Sequence, residues 1–363
     1  MRHSSWGVLV AAACAALAGG ACGGSNHAGA GGGGGVGASG GSTAGSGGTS
    51  GTGGSGPGGI AGGVGCEIPA AAANGDPTAA TRWSRPFTIS RWLPPDMWDA
   101  MSSTVAVDSA GLVYLSDLKS IYVADTAGVR VLYPASQLAQ DIRTADYTVG
   151  KIDFSADGRL FAVIDITTPT PTSALYAADG QGHLRLFRDF KSFWPNRPTI
   201  AVVSADAVLV PFDKLYCVTS AAMAPLFGAM STQTPPVTNW DDYNCSGRTI
   251  ATEAGGSFFY FLPGCTGSPL VGGRSDGSGL SVIWNLQATG DFPTLGLWTI
   301  GRAPHGGVIA NLEKALYYVD DATHMRLNVT PAMEFTFSVL AVGPNDTIYI
   351  LDGTGVYRAV PQT

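Results

Sequence analysis

Gly273-Arg274-Ser275-Asp276-Gly277 matches G-x-S-x-G, the sharp turn at which a strand presents a nucleophilic Ser at the start of a helix. The next residues, Ser278 to Trp284, read as a turn and another strand, so the required helix is missing. His183, His305 and His324 are the possible bases, and none sits in a partner motif. His305, within Pro304-His305-Gly306-Gly307, reads as a solvent-facing turn residue. The acidic pairs Asp241-Asp242 and Asp320-Asp321 could join loop carbonyls around Ca²⁺, a cation that takes hard oxygen ligands. Neither belongs to a spaced D-x-D-x-D loop, and they read as solvated acids. No catalytic residue and no metal ligand is therefore assigned. No cofactor is predicted either, with Ca²⁺ left open.

Binding chemistry is better represented. Phe190 to Asn196 carries Trp194, and the long segment from Phe227 to Cys245 contains Trp240, Asp241, Asp242 and Tyr243. Trp or Tyr beside Asp or Asn offers an apolar face with polar handles, the mixture that recognises sugars or peptides. Such segments are longer than a strand connection needs, and long loops on a rigid scaffold are where binding resides. The competing reading is that these aromatics pack each loop onto the scaffold.

The elements that must position these residues repeat. Thr104 to Asp117 (TVAVDSAGLVYLSD), Lys151 to Asp165 (KIDFSADGRLFAVID) and Val339 to Asp352 (VLAVGPNDTIYILD) are each an apolar strand, a tight turn and a second apolar strand. Asp-Gly and Asn-Asp pairs tolerate the positive φ of short hairpins. Weaker copies turn near Asp206, Gly256 and Gly307. With Gly111, Gly158, Asp206, Gly256, Gly307 and Asp346 as equivalent turns, the intervals are 47, 48, 50, 51 and 39 residues. A period of about 40–50 residues with several short strands per unit marks a propeller blade. The expectation is an all-β, six-bladed β-propeller, with Arg85 to Ile89 joining the last strands in one blade to close the ring. Asp108, Asp157, Asp206 and Asp346 recur as turn formers. Trp83, Trp92 and Trp98 read as packing residues of the closing strand and first blade. Lys151 and Arg248 precede inner strands and could line the channel as an anion site, but counting back from the turns places them one residue out of register.

The repeat units, such as VAVDSAGLVYLSD, resemble NHL-type repeats and the six-bladed propellers of the gluconolactonase and strictosidine-synthase type. The resemblance concerns most of residues 85–363 and implies blade architecture. Gluconolactonase-like enzymes hold a divalent ion in the channel with a Glu near the first blade, two Asn and an Asp. Here the first blade opens Ser102-Ser103-Thr104-Val105 without the acid, and Asn196, Asn285 and Asn311 do not fall at matching positions.

The N-terminal region specifies an address. Arg2 and His3 precede an apolar run from Trp6 to Leu17, shorter than the about 20 residues that a membrane helix needs. Ala18-Gly19-Gly20-Ala21-Cys22 resembles the lipobox of bacterial lipoproteins, which implies diacylglycerol on Cys22. Cleavage after Ala18 and plain secretion is the alternative. From Gly23 to Gly65 more than half the residues are Gly, and no Asp, Glu, Lys or Arg occurs between His3 and Glu67. Such a segment buries too little apolar area to offset its ordering entropy and is expected to be a disordered tether. Its r.m.s. span would be roughly 35 Å. The expected division is residues 1–22 export signal, 23–66 linker and 67–363 propeller.

The chain has 20 Lys and Arg against 27 Asp and Glu, a net charge of −7. Nothing resembles the basic stripe that nucleic acid requires. Cys66, Cys217, Cys245 and Cys265 would be exported into an oxidising compartment and are disulfide candidates with three possible connectivities. Cys245 with Cys265 is the preferred pair, and free buried thiols are the alternative. The reading is an exported, lipid-anchored, monomeric propeller that binds or scaffolds an envelope protein or glycan. It would sit at the outer membrane, facing the periplasm or the cell surface. A metal-dependent propeller hydrolase or lactonase is the runner-up, and a purely structural envelope protein without a small ligand is the third reading.

Overall fold

The computed structural model describes residues 78–93, 104–125, 127–167, 171–190, 199–212, 215–226, 249–253, 255–262, 269–275, 281–286, 299–312, 315–332, 339–352 and 354–363. Cys22, Cys66, Trp98, Trp194, Asn196, Trp240, Asp241, Asp242, Tyr243, Cys245, Arg248 and Cys265 lie outside them, as do the export signal and linker.

The chain forms six antiparallel sheets, each a blade, as the repeat predicts. The first is β2 (Thr104–Val107), β3 (Val113–Ser116), β4 (Ile121–Asp125) and β5 (Gly128–Tyr133). The second is β6 (Tyr147–Phe154), β7 (Leu160–Ile166), β8 (Thr172–Ala178) and β9 (Leu184–Asp189). The third is β10 (Ala201–Ser204), β11 (Ala207–Pro211), β12 (Leu215–Val218) and β13 (Met223–Pro225). The fourth is β14 (Thr249–Thr252), β15 (Phe258–Leu262), β16 (Leu270–Arg274) and β17 (Ser281–Trp284). The fifth is β18 (Thr299–Arg302), β19 (Val308–Leu312), β20 (Ala315–Val319) and β21 (His324–Arg326). The sixth takes β23 (Val339–Val342), β24 (Ile348–Asp352) and β25 (Gly355–Pro361) from the end of the chain and β1 (Phe87–Leu93) from its beginning. Strand β22 (Val329–Thr330) runs parallel to β1 at its outer edge.

Inner strands β2, β6, β10, β14, β18 and β23 touch in that order, and β23 returns to β2, so the ring is closed. Closure is hydrogen-bonded: Thr88 pairs with Val360, Ile89 with Ala359 and Ser90 with Arg358. Trp83, in the short helix Ala79–Trp83, is fully buried and stacks on Phe87 at 5.7 Å and on Tyr318 at 5.9 Å. Trp92 packs edge-on against Tyr349. Both tryptophans are packing residues, as expected.

Each hydrophobic core lies between two blades. Phe161 and Val163 of blade two meet Val202 and Val208 of blade three. Ala251 and Tyr260 of blade four meet Ile300 and Val308 of blade five, and Leu351 of blade six meets Val105 and Leu115 of blade one. A blade covered on both faces needs apolar side chains in both directions, which is why residues 160–164 of β7 and the whole of β11 read as continuous apolar runs. Cys217 is buried in the core that blade three shares with Ile250, Phe259 and Phe261 of blade four. No helix among the described residues is long and apolar enough to cross a membrane.

The expected turns lie between the first two strands of their blades. Gly111, Gly158, Gly256, Gly307 and Asp346 all have positive φ, from +61° to +85°. At Gly256 (φ +73°) a Cβ would also lie 2.1 Å from the Val203 carbonyl oxygen of the neighbouring blade, whereas at Gly158 (φ +84°) it would meet open space. Gly158→Ala should therefore cost only the left-handed penalty, about 1–2 kcal/mol. Gly256→Ala should cost at least about 2 kcal/mol more, because the blade interface must also shift. Urea unfolding of the two variants measures the difference.

Candidate functional site

The inner strands enclose a channel with a cavity of about 50 Å³, walled chiefly by Val, Ala and Ile with Leu340. Among the described residues, three charged ones line it: Lys151, Asp153 and Arg302. Lys151 reaches it through a β-bulge. The pairing of β6 with β7 shifts between Val149, opposite Ile164, and Ile152, opposite Ala162. A bulge inserts a residue and re-aims its neighbours. This is the physical reason that Lys151 looks out of register by counting. The expectation from register is thereby corrected, and Lys151 is a channel residue.

Arg302, at the end of β18, carries no mark in the sequence. Its guanidinium reaches from blade five to three other blades. Nη1 donates to the Phe154 carbonyl (3.2 Å), while Nη2 donates to the Val202 carbonyl (2.8 Å) and Thr252 Oγ1 (2.7 Å). Asp153 Oδ2 lies 3.5 Å from Nη2 and accepts from the Val202 N–H at 2.8 Å. Thr252 Oγ1 in turn donates to the Val202 carbonyl at 2.8 Å. Planar donors in a fixed fork suit such multi-acceptor contacts, which an ammonium cannot reproduce. Burial lowers the Lys151 pKa from its usual value, opposed by the Asp153 carboxylate, which favours the charged ammonium.

These residues do not fit the divalent ion that the gluconolactonase resemblance implies. The single channel carboxylate among the described residues, Asp153, accepts from the backbone N–H groups of Phe154 and Val202 and faces a guanidinium. Among the described residues, no three His, Cys, Asp or Glu side chains come together in a way that could hold a metal.

Other candidates resolve into structural roles. Ser275 of the G-x-S-x-G match is fully buried, and its hydroxyl donates to the Gly256 carbonyl at 2.6 Å. Asp320 Oδ1 accepts from the N–H groups of Ala322 and Thr323, and its Oδ2 accepts from the Tyr318 hydroxyl. Asp108 caps its turn by accepting from the N–H groups of Ala110 and Leu112. Two expectations need correction. Asp346 is more than a turn former: its buried carboxylate accepts from Arg85 at 2.7 Å and lies 3.5 Å from His305 Nε2. His305 lies in the turn as expected, but its half-buried ring sits beside a buried acid and does not simply face solvent. His183 Nδ1 lies 3.0 Å from Asp141 Oδ1, fastening the helix Ala135–Ile142 to β9.

No protein-family model matches this chain, and no curated protein matches it. Solved structures similar to it include the calcium-binding protein regucalcin from Agrobacterium tumefaciens, 14% identical with a TM-score of 0.49, covering 76% of this chain and 95% of that one. A gluconolactonase from Xanthomonas campestris is 13% identical, with a TM-score of 0.48 and coverage of 77% and 88% respectively. A streptogramin B lyase is 11% identical, with a TM-score of 0.48 and coverage of 77% and 99%. The six-bladed fold of this chain rests on its own strand pairing, and no activity is transferred by these similarities.

Arg302→Met would leave the Phe154 and Val202 carbonyls without a charged donor. It should cost about 2 kcal/mol in urea unfolding, less than a fully buried ion-pair partner because the Arg302 side chain keeps 24% of its exposure. Arg302→Lys should recover less than half.

Glu253 tests a different interface. Burial raises its pKa, hydrogen bonds from the Tyr260 hydroxyl and the Gly307 N–H oppose the rise, and Asp321 and Asp320 add to it. The native state then binds more protons than the unfolded chain, so stability falls as pH rises above about 4.5. Relative to Glu253→Gln, the wild type should lose stability between pH 4.5 and 7, measured by urea unfolding at both values.

Proposed function

We propose that this chain is an exported propeller, held at the outer membrane by a lipid on Cys22, which binds an envelope protein or glycan as a monomeric, static platform. The observation that supports this reading is the Arg302 bolt. One side chain joins four of six blades across the channel, so the ring is built for rigidity, and rigid rings carry binding in their loops. The ligand surface in this proposal is Trp194 with Trp240, Asp241, Asp242 and Tyr243. Their composition supports it, since aromatic faces beside carboxylates suit sugars and peptides. Disulfides among Cys66, Cys217, Cys245 and Cys265 belong to the same proposal, because an exported domain meets an oxidising compartment.

Two measurements test the parts separately. Cys22→Ala should move the protein from the membrane fraction to the soluble one. Recovery in the membrane fraction unchanged by the substitution would reject the anchor and favour another mode of attachment. Wild type and the double variant Trp194→Ala/Trp240→Ala would be compared on a glycan array and against solubilised envelope proteins. The double variant should bind at least about tenfold more weakly at an unchanged melting temperature, as expected when aromatic anchors are removed. Full binding by the double variant to every ligand of the wild type would reject this surface.

A further inference from the structure

We infer that the central channel is a binding site for one compact monovalent anion, held between Lys151 and Arg302. This site is separate from the loop surface proposed above, and either can fail without the other.

Two observations meet at the same cavity. Arg302 spends its Nη1 and Nη2 hydrogens on blades two, three and four, but its Nε–H is buried and finds no acceptor among the described residues. A buried donor without an acceptor is costly, and native structures supply a partner. Lys151 opens onto the same cavity. It keeps an intermediate accessible surface although it is deep within the ring, because that surface faces the lumen. It thus places a cation beside a space walled mainly by apolar side chains.

Charge decides what fills that space. With Lys151 protonated, Lys151 and Arg302 carry two positive charges and Asp153 one negative, so the described residues leave one positive charge in excess at the lumen. Asp153 Oδ1 and Oδ2 each accept from a backbone N–H, and neither reaches the Arg302 Nε–H. Water could accept from Arg302 Nε but would leave the charge in place. A monovalent anion accepts from Nε–H and from the ammonium, and neutralises the lumen. The cavity of about 50 Å³ has room for chloride or a formate-sized carboxylate. The same chemistry is available to a free ion or to the carboxylate end of a longer molecule that enters the channel.

The test uses the full chain purified in detergent, with chloride, formate or butyrate titrated at constant ionic strength. A bulky morpholine sulfonate serves as the balancing anion. Saturable binding should raise the melting temperature by roughly 4 °C or more at a hundredfold excess over the dissociation constant. Chloride and formate acting alike would identify a free ion. Butyrate acting alone, or at least tenfold more strongly, would identify a carboxylate terminus. Lys151→Met should abolish the saturable rise in each case and be at least as stable as wild type in the sulfonate buffer. Should Lys151→Met not fold, the chloride NMR line width decides: the wild type should broaden it and formate should reverse the broadening. No saturable response to any of the three anions would overturn the site. An equal response in Lys151→Met, or broadening that formate leaves unchanged, would do the same.

Discussion

A ring of six blades exists only if the two ends of the repeat share a sheet, because every blade here packs both faces against its neighbours. Without that joint the faces of blades one and six would stand open. The β1–β25 ladder supplies it, from Phe87 opposite Pro361 to Leu93 opposite Val356. Its outer side is covered by β22, and Trp83 stacks beneath it between Phe87 and Tyr318. The Arg85–Asp346 ion pair ties the same N-terminal segment to the first turn of blade six. Closure is thus made of backbone pairing, aromatic packing and one buried carboxylate, all in one place.

The channel is a consequence of this constraint. Six inner strands held side by side leave a narrow lumen, and backbone carbonyls face it wherever a strand has no further partner. Arg302 answers several of them with one planar cation. Its cost is positive charge in a place that apolar residues otherwise line. Lys151, delivered to the same lumen by the bulge in β6, increases that charge. The carboxylate chemistry on which a divalent cation depends is consequently replaced by its electrostatic opposite, with Asp153 committed to the backbone and to Arg302.

Polar residues away from the channel mostly serve blade geometry. Asp108 and Asp320 fold back on their own turns, and Ser275 secures the β16 end of blade four to Gly256. His183 and His305 each sit beside a buried carboxylate. A sequence motif such as G-x-S-x-G or a lone His carries no chemistry by itself, since the same residues equally satisfy backbone groups at the edge of a sheet.

The repeat, the six turns and the closing strand were all legible in the sequence, because each depends on residues close in the chain. Alternating apolar runs make strands, and Gly or Asp at their junctions accepts a positive φ. The channel was not legible. Arg302 meets Phe154 and Val202 across 148 and 100 residues, and nothing local distinguishes it from an ordinary strand-ending arginine. Lys151 was misplaced by counting, because a bulge changes the register of a strand without a unique sequence mark. Asp346 and His305 were read singly as turn residues, since only the closed ring brings Arg85 and His305 to one carboxylate. What the sequence determined was therefore the blades and their number. Tertiary structure decided which side chains face one another across the lumen, because that choice depends on ring closure and not on any neighbour in the chain.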